Sequence, residues 1–469
     1  MAEKVRATGI STLRKALLLG LACVTPLSGA HAETLYGALA RAYTGNPTLN
    51  AQRATLRAAD EGVPQALAGY RPTVTGVASA SAESVNAHTP GGQFQTEGKF
   101  SPLYPRSLSI QVTQNIFTGG RTLNNVRQAE ASVQTAREQL RFQEQSTLFD
   151  AAQAYMNVLA DTAVLNLQKN NVEVLEEQLR QTRDRFNVGE VTRTDVAQAE
   201  AALATGRAQE SAAAATLRGS IATYRQIVGN DPRQLAPGAP VEKFLPPNVD
   251  GAVRIALAKH PGIRAALHAV EAQEFQVKTI EAQLLPQLGL TGSVSRDYDT
   301  RQRNDMTTAA SIGAQLTVPI YEGGAVYSQV RQAKEQVGQA RMQVDVTREQ
   351  VRQQVIASWA QLESARQQIA ASQAAVQANE IALAGVREEA KVGQRTTLDV
   401  LNAQQTLLSS RVQLVRAQRD RIVTSYQVLG SIGLLSVNTL GIKVAQYNAN
   451  RHYEQVRDKW WGTQTPDGR

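Results

Sequence analysis

The chain has 469 residues, a formal net charge of +8, 5% aromatic and 19% charged residues. Its positive charge is spread along the chain with no basic block, which argues against nucleic acid as a partner. Sparse aromatics with abundant Ala and Gln suit long helices packed through small side chains, not a bulky globular core.

The N-terminus reads as an export signal. Lys4, Arg6, Arg14 and Lys15 precede the short apolar run "ALLLGLACV" (16–24), and "AHA" (30–32) places small residues around a cleavage point after Ala32. Residues 1–32 are therefore set apart from the fold. Cys23, the sole cysteine, lies inside this segment, so the mature chain needs no disulfide. A lipoprotein signal would carry an aliphatic residue where Gly20 stands, which disfavours lipidation of Cys23. No mature segment has the eighteen or so consecutive apolar residues of a membrane-crossing helix. An exported chain of this kind stays in the periplasm, leaves the cell, or enters a membrane as β-strands.

From residue 33 onward the sequence is written twice. "NIFTGGR" and "PIYEGGA" align through Gly119-Gly120 and Gly323-Gly324, an interval of 204 residues that also separates Gly189 from Gly393 and Asp195 from Asp399. Upstream, Asn46-Pro47 matches His260-Pro261 and Pro72 matches Pro286 at an interval of 214, the difference falling in the Gly/Pro-rich stretch 87–106. The repeats run 33–230 and 249–435, joined by the Pro-rich linker 231–248 and followed by a C-terminal tail, 436–469. A period this long is a duplication and not a solenoid.

Each repeat gives the same order of predicted elements. A short helix (34–44; 249–259) precedes a second that starts at a proline (47–69; 261–284). Two strands follow, near 72–86 and 107–117 in the first repeat and 286–298 and 308–321 in the second. Then come a very long helix (120–186; 324–390), a glycine turn, and a returning helix (192–228; 396–432). The long helices carry a heptad: Val126, Val133, Leu140, a step of eleven, then Ala151, Val158, Leu165, Val172, Leu179 and Phe186. The second copy repeats it from Val330 to Ala390 with the same stutter, which locally unwinds a left-handed coiled coil. Each helix spans roughly 100 Å.

The strands alternate. Leu108, Ile110, Val112 and Ile116 form one face of the second strand and Ser109, Gln111, Thr113 and Asn115 the other; Ile312, Ala314, Leu316, Val318 and Ile320 do the same in the fourth. Four strands cannot close a barrel, and a sheet in lipid must close. Three chains would supply twelve antiparallel strands, within the outer-membrane range. A small soluble sheet packed on helices is the competing reading.

At "NIFTGGR", "AYMNVL" (154–159), "RFNVGEVTRTDVAQAEA" and "KVGQRTTLDVLNAQQTLL" the sequence resembles the TolC-type outer-membrane efflux proteins, over nearly all of the mature chain. The tail "HYEQVRDKWWG" (452–462) looks like the subset that serves type I secretion. The resemblance implies a mainly α-helical chain with a β-barrel part. Four strands per chain complete a twelve-stranded barrel in a homotrimer, and a coiled-coil helical tunnel extends into the periplasm, where the resemblance also places the C-terminal tail. It implies an inner-membrane ABC or RND transporter and a periplasmic membrane-fusion adaptor as partners, outer-membrane lipid around the barrel, and no catalytic chemistry or cofactor.

The glycine turns then become the periplasmic ends of the tunnel. Gly189 and Gly393 suit the left-handed conformation that ends a helix. The hydroxyls of Thr192 or Thr194, and of Thr396 or Thr397, are placed to cap the next one. Asp195 and Asp399 read as rings of carboxylates at a constriction, or as acids favoured by a helix N-terminus. By resemblance, Asp399 matches an inward aspartate of the family entrance, Arg395 an arginine that holds the closed state, and Thr194 and Asp195 their partners. Asn402 stands where a second aspartate can occur and Ala390 where a tyrosine can, so the gate carries one acidic ring in place of two. Val188, Gly189, Glu190, Val392, Gly393 and Gln394 are the candidate adaptor contacts. The mature histidines His88, His260, His268 and His452 have no accompanying ligand cluster, which argues against a metal. There is neither a phosphate loop nor a nucleophile elbow. A multidrug-efflux channel and an exported coiled-coil rod without a pore are the rival functions.

Overall fold

The computed structural model describes residues 32–85, 101–300 and 303–468. The expected export signal up to residue 31, with Cys23, and His88 with most of the Gly/Pro-rich stretch, lie outside these residues. Helices α1 (Leu35–Gly45), α2 (Pro47–Asp60) and α3 (Gly62–Leu67) lead into strand β1 (Thr73–Ala80) and a short ribbon of β2 (Glu83–Val85) with β3 (Ser101–Leu103). Strand β4 (Arg106–Phe117) then runs into α4 (Arg121–Asn187), which returns as α5 (Arg193–Val228). The second half repeats this as α6 (Val249–Lys259), α7 (Pro261–Glu281), β5 (Gln287–Tyr298), β6 (Met306–Thr317), α8 (Ala325–Lys391) and α9 (Thr397–Ser431). A last short helix, α10 (Ala449–Val456), lies in the tail. None of the described helices is long and apolar enough to cross a membrane.

Helices α4 and α8 are each 67 residues long and each begins after a pair of left-handed glycines. Their heptad seams are buried at Val126, Val133, Leu140, Ala151, Val158, Val172 and Leu179, and at Val330, Val337, Val344, Val355, Leu362 and Leu383. Near the turns the seam opens, and Phe186 is 42% exposed. Both hairpins are pinned by the same interhelical pair one repeat apart, Arg207–Glu176 and Arg411–Glu380, each at 2.7 Å. The shorter helices complete the length. Asn46 caps α2 and donates its amide to the Ile227 carbonyl at the end of α5, so α2 continues where α5 stops. In the second repeat α7 starts beside Gly433, just past the end of α9, whose backbone lies against His260 and Pro261.

The two N-terminal helices differ. Residues 47–69 do not form one helix: α2 ends at Asp60 and α3 begins at Gly62. Pro64 lacks the N–H that would bond the Asp60 carbonyl, and Gly62 adds backbone freedom beside it. The matching positions in α7 are Gln276 and Lys278, and that helix runs unbroken.

Strands β1, β4, β5 and β6 form one antiparallel sheet in that order, with β1 and β6 at its edges. The register puts Val74, Val112, Ile110, Leu108, Leu290, Val294, Ile312 and Leu316 on one face. Thr73, Thr75, Gln111, Thr113, Thr291, Ser293 and Ser311 share the other. Two positions depart from simple alternation. The β4–β5 register slips between Asn115 and Phe117, so Phe117 and not Ile116 stands opposite Leu288 on the apolar face. Strand β6 stops at Thr317, before Pro319, leaving Val318 and Ile320 beyond the sheet.

The largest core lies midway along the helices. Leu35, Leu39, Leu49, Leu56, Tyr155, Tyr224, Tyr426 and Leu435 are buried together there. The Tyr155 hydroxyl is placed against the carbonyls of Glu33 (2.7 Å) and Ala236 (2.6 Å), tying the start of the chain to the linker. Glu242 of the linker holds Arg421 at 2.8 Å and Arg366 at 2.9 Å, joining the linker to α8 and α9.

Candidate functional site

The two turns at the far end of the hairpins are built alike. At the first, Gly189 has φ +79, its N–H bonds the Phe186 carbonyl at 3.0 Å, and the Glu190 N–H bonds Arg185 at 2.9 Å. At the second, Gly393 has φ +80, with Gly393 to Ala390 at 3.2 Å and Gln394 to Glu389 at 3.0 Å. These are the paired bonds of a Schellman end, and they require the left-handed residue that glycine supplies without strain. Val188 and Val392 are 72% and 71% exposed. Two valines fully in the open at matched turn positions form the apolar element of the tips.

The next helix starts three residues on. Thr192 and Thr396 are the caps, not Thr194 or Thr397. The Thr192 hydroxyl accepts from the Asp195 N–H at 3.3 Å, while Asp195 Oδ2 accepts from the Thr192 N–H at 2.9 Å and its hydroxyl at 2.6 Å. Thr396 and Asp399 repeat this box at 3.2, 2.9 and 2.9 Å. The hydrogen bonds from Thr192 hold the Asp195 carboxyl below the usual aspartate range, and those from Thr396 do the same for Asp399. Both acids are therefore ionised at neutral pH. Thr194 and Asn402 are exposed on the same turns of helix, while Thr397 is buried.

The ion pairs at the tips were not legible in the sequence. Arg185 meets Glu190 at 3.0 Å in the first turn; Arg395 meets Glu389 at 2.8 Å in the second. Arg185 and Glu389 occupy the same repeat position but carry opposite charge, and each is bridged from a neighbouring turn position, Glu190 in the first and Arg395 in the second, one residue farther on. Between the hairpins, Gln404 of α9 donates to Asn171 of α4 at 3.2 Å, a buried amide pair set in the cluster of Val172, Leu175, Ala199, Leu203 and Leu401. Its only sequence signal is a pair of polar residues flanking apolar seam positions. Of the histidines, His260 caps α7 through Nδ1, accepting from the Gly262 N–H at 3.1 Å, and His268 and His452 meet Glu271 and Asp60 at 2.8 and 3.0 Å. No cluster of three or more metal-ligating side chains occurs among the described residues.

A duplicated chain with one apolar-faced sheet and two long, matched hairpins defines an outer-membrane channel protein. The family model described as outer membrane efflux protein matches residues 38–230 and 252–434. The chain is 45% identical over 449 residues to the outer membrane efflux protein BepC of Brucella suis, covering 95% of each. It is 26% identical over 382 residues to the alkaline protease secretion protein AprF of Pseudomonas aeruginosa, covering 80% of this chain and 78% of that one. The outer membrane channel CmeC of Campylobacter jejuni superposes with a TM-score of 0.75 at 18% identity, covering 90% and 89%. The chain belongs to the outer membrane efflux protein family, the TolC-type channels. It is an outer-membrane efflux channel whose helical tunnel extends into the periplasm, and this removes the pore-less rod. Its relatives are channel proteins and not enzymes.

Proposed function

We propose that three copies of this chain join head to tail to form the exit duct of a tripartite export machine. One observation carries the reading. A Cβ on Gly119 would lie 2.7 Å from the Ala282 carbonyl and the Leu285 side chain, because the first repeat packs closely on the second. Its copy, Gly323, meets nothing within 4 Å among the described residues. The surface that should fill this place is the end of α3 and its neighbours Ala68–Arg71, on the first repeat of another copy. The sheet tells the same story: β4 pairs with β5 inside the chain, while β6 and β1 end it as edges. The step from first repeat to second is thus the step from one chain to the next, and TolC-family channels close it with three chains. Closure seals every backbone group in lipid. It puts the Ser/Thr/Gln face inside and the Val/Ile/Leu face outside.

Six tips then meet at the periplasmic mouth. Val188, Gly189 and Glu190, with Val392, Gly393 and Gln394, form the surface for a membrane-fusion adaptor, which couples the duct to an inner-membrane transporter. Type I secretion through an ABC transporter is supported by the tail "HYEQVRDKWWG" and by the likeness to AprF, an alkaline protease secretion protein. The likeness to BepC, an efflux protein, supports efflux as the second reading, in which the inner-membrane partner would be an RND pump. Photo-crosslinking from Val188 and Val392 in membranes, followed by identification of the co-purified transporter, separates them. An adaptor with an ABC ATPase supports the first, an adaptor with an RND pump the second, and no adaptor at either tip discards the docking assignment.

Asp195, Asp399 and Arg395, with Thr194 and Asn402 nearby, line the constriction where the hairpins converge, and the carboxylates select cations. Asp399→Asn retains an acceptor for the capping box and removes the charge. Cation selectivity of single channels should fall in this variant; unchanged selectivity discards the gate.

A further inference from the structure

The tail holds a feature the duct does not need. Trp460 and Trp461 are two of only three tryptophans in the chain, and they are 61% and 85% exposed. The segment before them is firmly placed. In α10, His452 meets the buried Asp60 of α2 at 3.0 Å, and Val456 is buried. Tyr453 lies under the Arg137 guanidinium at 5.2 Å. From there the chain climbs toward the sheet. Arg71, two residues before β1, donates to the Lys459 carbonyl at 2.8 Å and covers the Trp460 ring at 4.8 Å. The indoles therefore stand, exposed, at the helix-side end of the sheet.

They do not stand alone there. Tyr70 precedes β1, Phe117 ends β4 on the apolar face, and Tyr321 follows β6; all three are exposed. Segments entering or leaving the sheet thus carry exposed aromatics at one level, next to the apolar surface of Leu288 and Leu316. Arg71, Arg457 and Lys459 supply cations near the indoles in sequence or contact, with Asp458 between the last two and Asp467, farther on, paired to Arg57. An indole has an apolar body and one N–H donor, which suits the boundary between acyl chains and headgroups better than water or hydrocarbon. Barrels in membranes carry such girdles at both boundaries.

We propose that the tail is a membrane-interface anchor. Trp460 and Trp461, positioned by Arg71, insert among the phospholipid headgroups of the periplasmic leaflet and fix the depth at which the barrel meets the helices. This rests on the apolar-faced sheet being the membrane-spanning part, and the test separates the two.

Full-length protein carrying Trp359→Phe, so that only the tail indoles emit, is reconstituted in phosphatidylethanolamine–phosphatidylglycerol vesicles. The lipids carry bromine either beside the headgroup or near the acyl methyl end. The tail emission should be lost with the shallow bromine and largely kept with the deep one, and Arg71→Ala should weaken the shallow quenching. In a second protein, with all three tryptophans changed to Phe, Ile312→Trp reports the sheet and should be quenched by the deep bromine. Quenching at Ile312 without any at the tail overturns the anchor alone; iodide then shows whether the indoles face water or lie shut in a seam between subunits. No quenching at Ile312 overturns the membrane reading of the sheet, and the anchor with it.

Discussion

The two repeats share one backbone plan yet solve their local chemistry differently. Helices α4 and α8 have equal length, their turns have φ values within a degree, and the capping boxes superimpose bond for bond. Against that sameness, Asn46 caps the first proline-led helix and His260 the second. The tip ion pairs exchange signs, and Gly119 is enclosed where Gly323 is open. The difference teaches that geometry was duplicated and held, while side chains were free wherever the same bond could be made by other atoms. Enclosure differs for another reason: in the proposed assembly, one chain contains only one of the two repeat-to-repeat contacts.

The strongest way to break the comparison is to put a methyl group on each glycine. Gly119→Ala adds a left-handed alanine, a 2.7 Å approach to the Ala282 carbonyl and overpacking against Leu285. It should cost about 4 kcal/mol and lower the melting temperature of the chain itself. Gly323→Ala carries only the backbone strain, about 1–2 kcal/mol within a chain. It should lower the chain's melt less than Gly119→Ala does and reduce the yield of assembled oligomer, read by native gel. Equal melts for the two variants would contradict the repeat-to-repeat packing described above.

The caps sharpen it next. Burial pushes the His260 pKa down to about 4, so the ring is neutral and Nδ1 free to accept. Unfolded, it binds a proton near 6.5; the folded state resists until about 4. Stability is therefore complete above 6.5 and is lost as pH falls from 6.5 to about 4, by up to about 3 kcal/mol. His260→Asn installs the first repeat's cap. Its melting temperature should be flatter than the parent's across that window, and an identical pH profile would show that His260 is not the titrating group.

The smallest expected effect is the most symmetric. Thr192→Ala and Thr396→Ala should each loosen their own turn by about 1 kcal/mol, seen as faster amide exchange at 192–195 or 396–399 with the other tip unchanged. Because both capping acids have depressed pKa values, the boxes should hold at neutral pH. They should open only as pH falls below the ordinary aspartate value.

Much of the fold could be read from periodicity because periodicity is what it uses. Leu108, Ile110 and Val112 alternate, and pairing brings them to one face with Val74, Val294 and Ile312. Val126 to Leu140 and Ala151 to Leu179 keep a seven-residue step on either side of the stutter, and most of the seam is buried. What escaped depends on a second strand, on a local breaker inside a helical pattern, or on a turn that has closed. The slip at Ile116 exists only against β5, and the break at Glu61 turns on Gly62 and Pro64 inside an otherwise helical pattern. The Arg185–Glu190 and Glu389–Arg395 bridges form only once each turn has closed, and composition lists them merely as charges.

The matched 67-residue helices also constrain how such a wall can change height. A heptad deleted from α4 alone would lift one turn some 10 Å above the other and shear the Asn171–Gln404 amide pair out of register. Any viable shortening has to strike four helices together and in whole seams. Reach is therefore a quantised property here, adjustable in coordinated steps and closed to gradual drift.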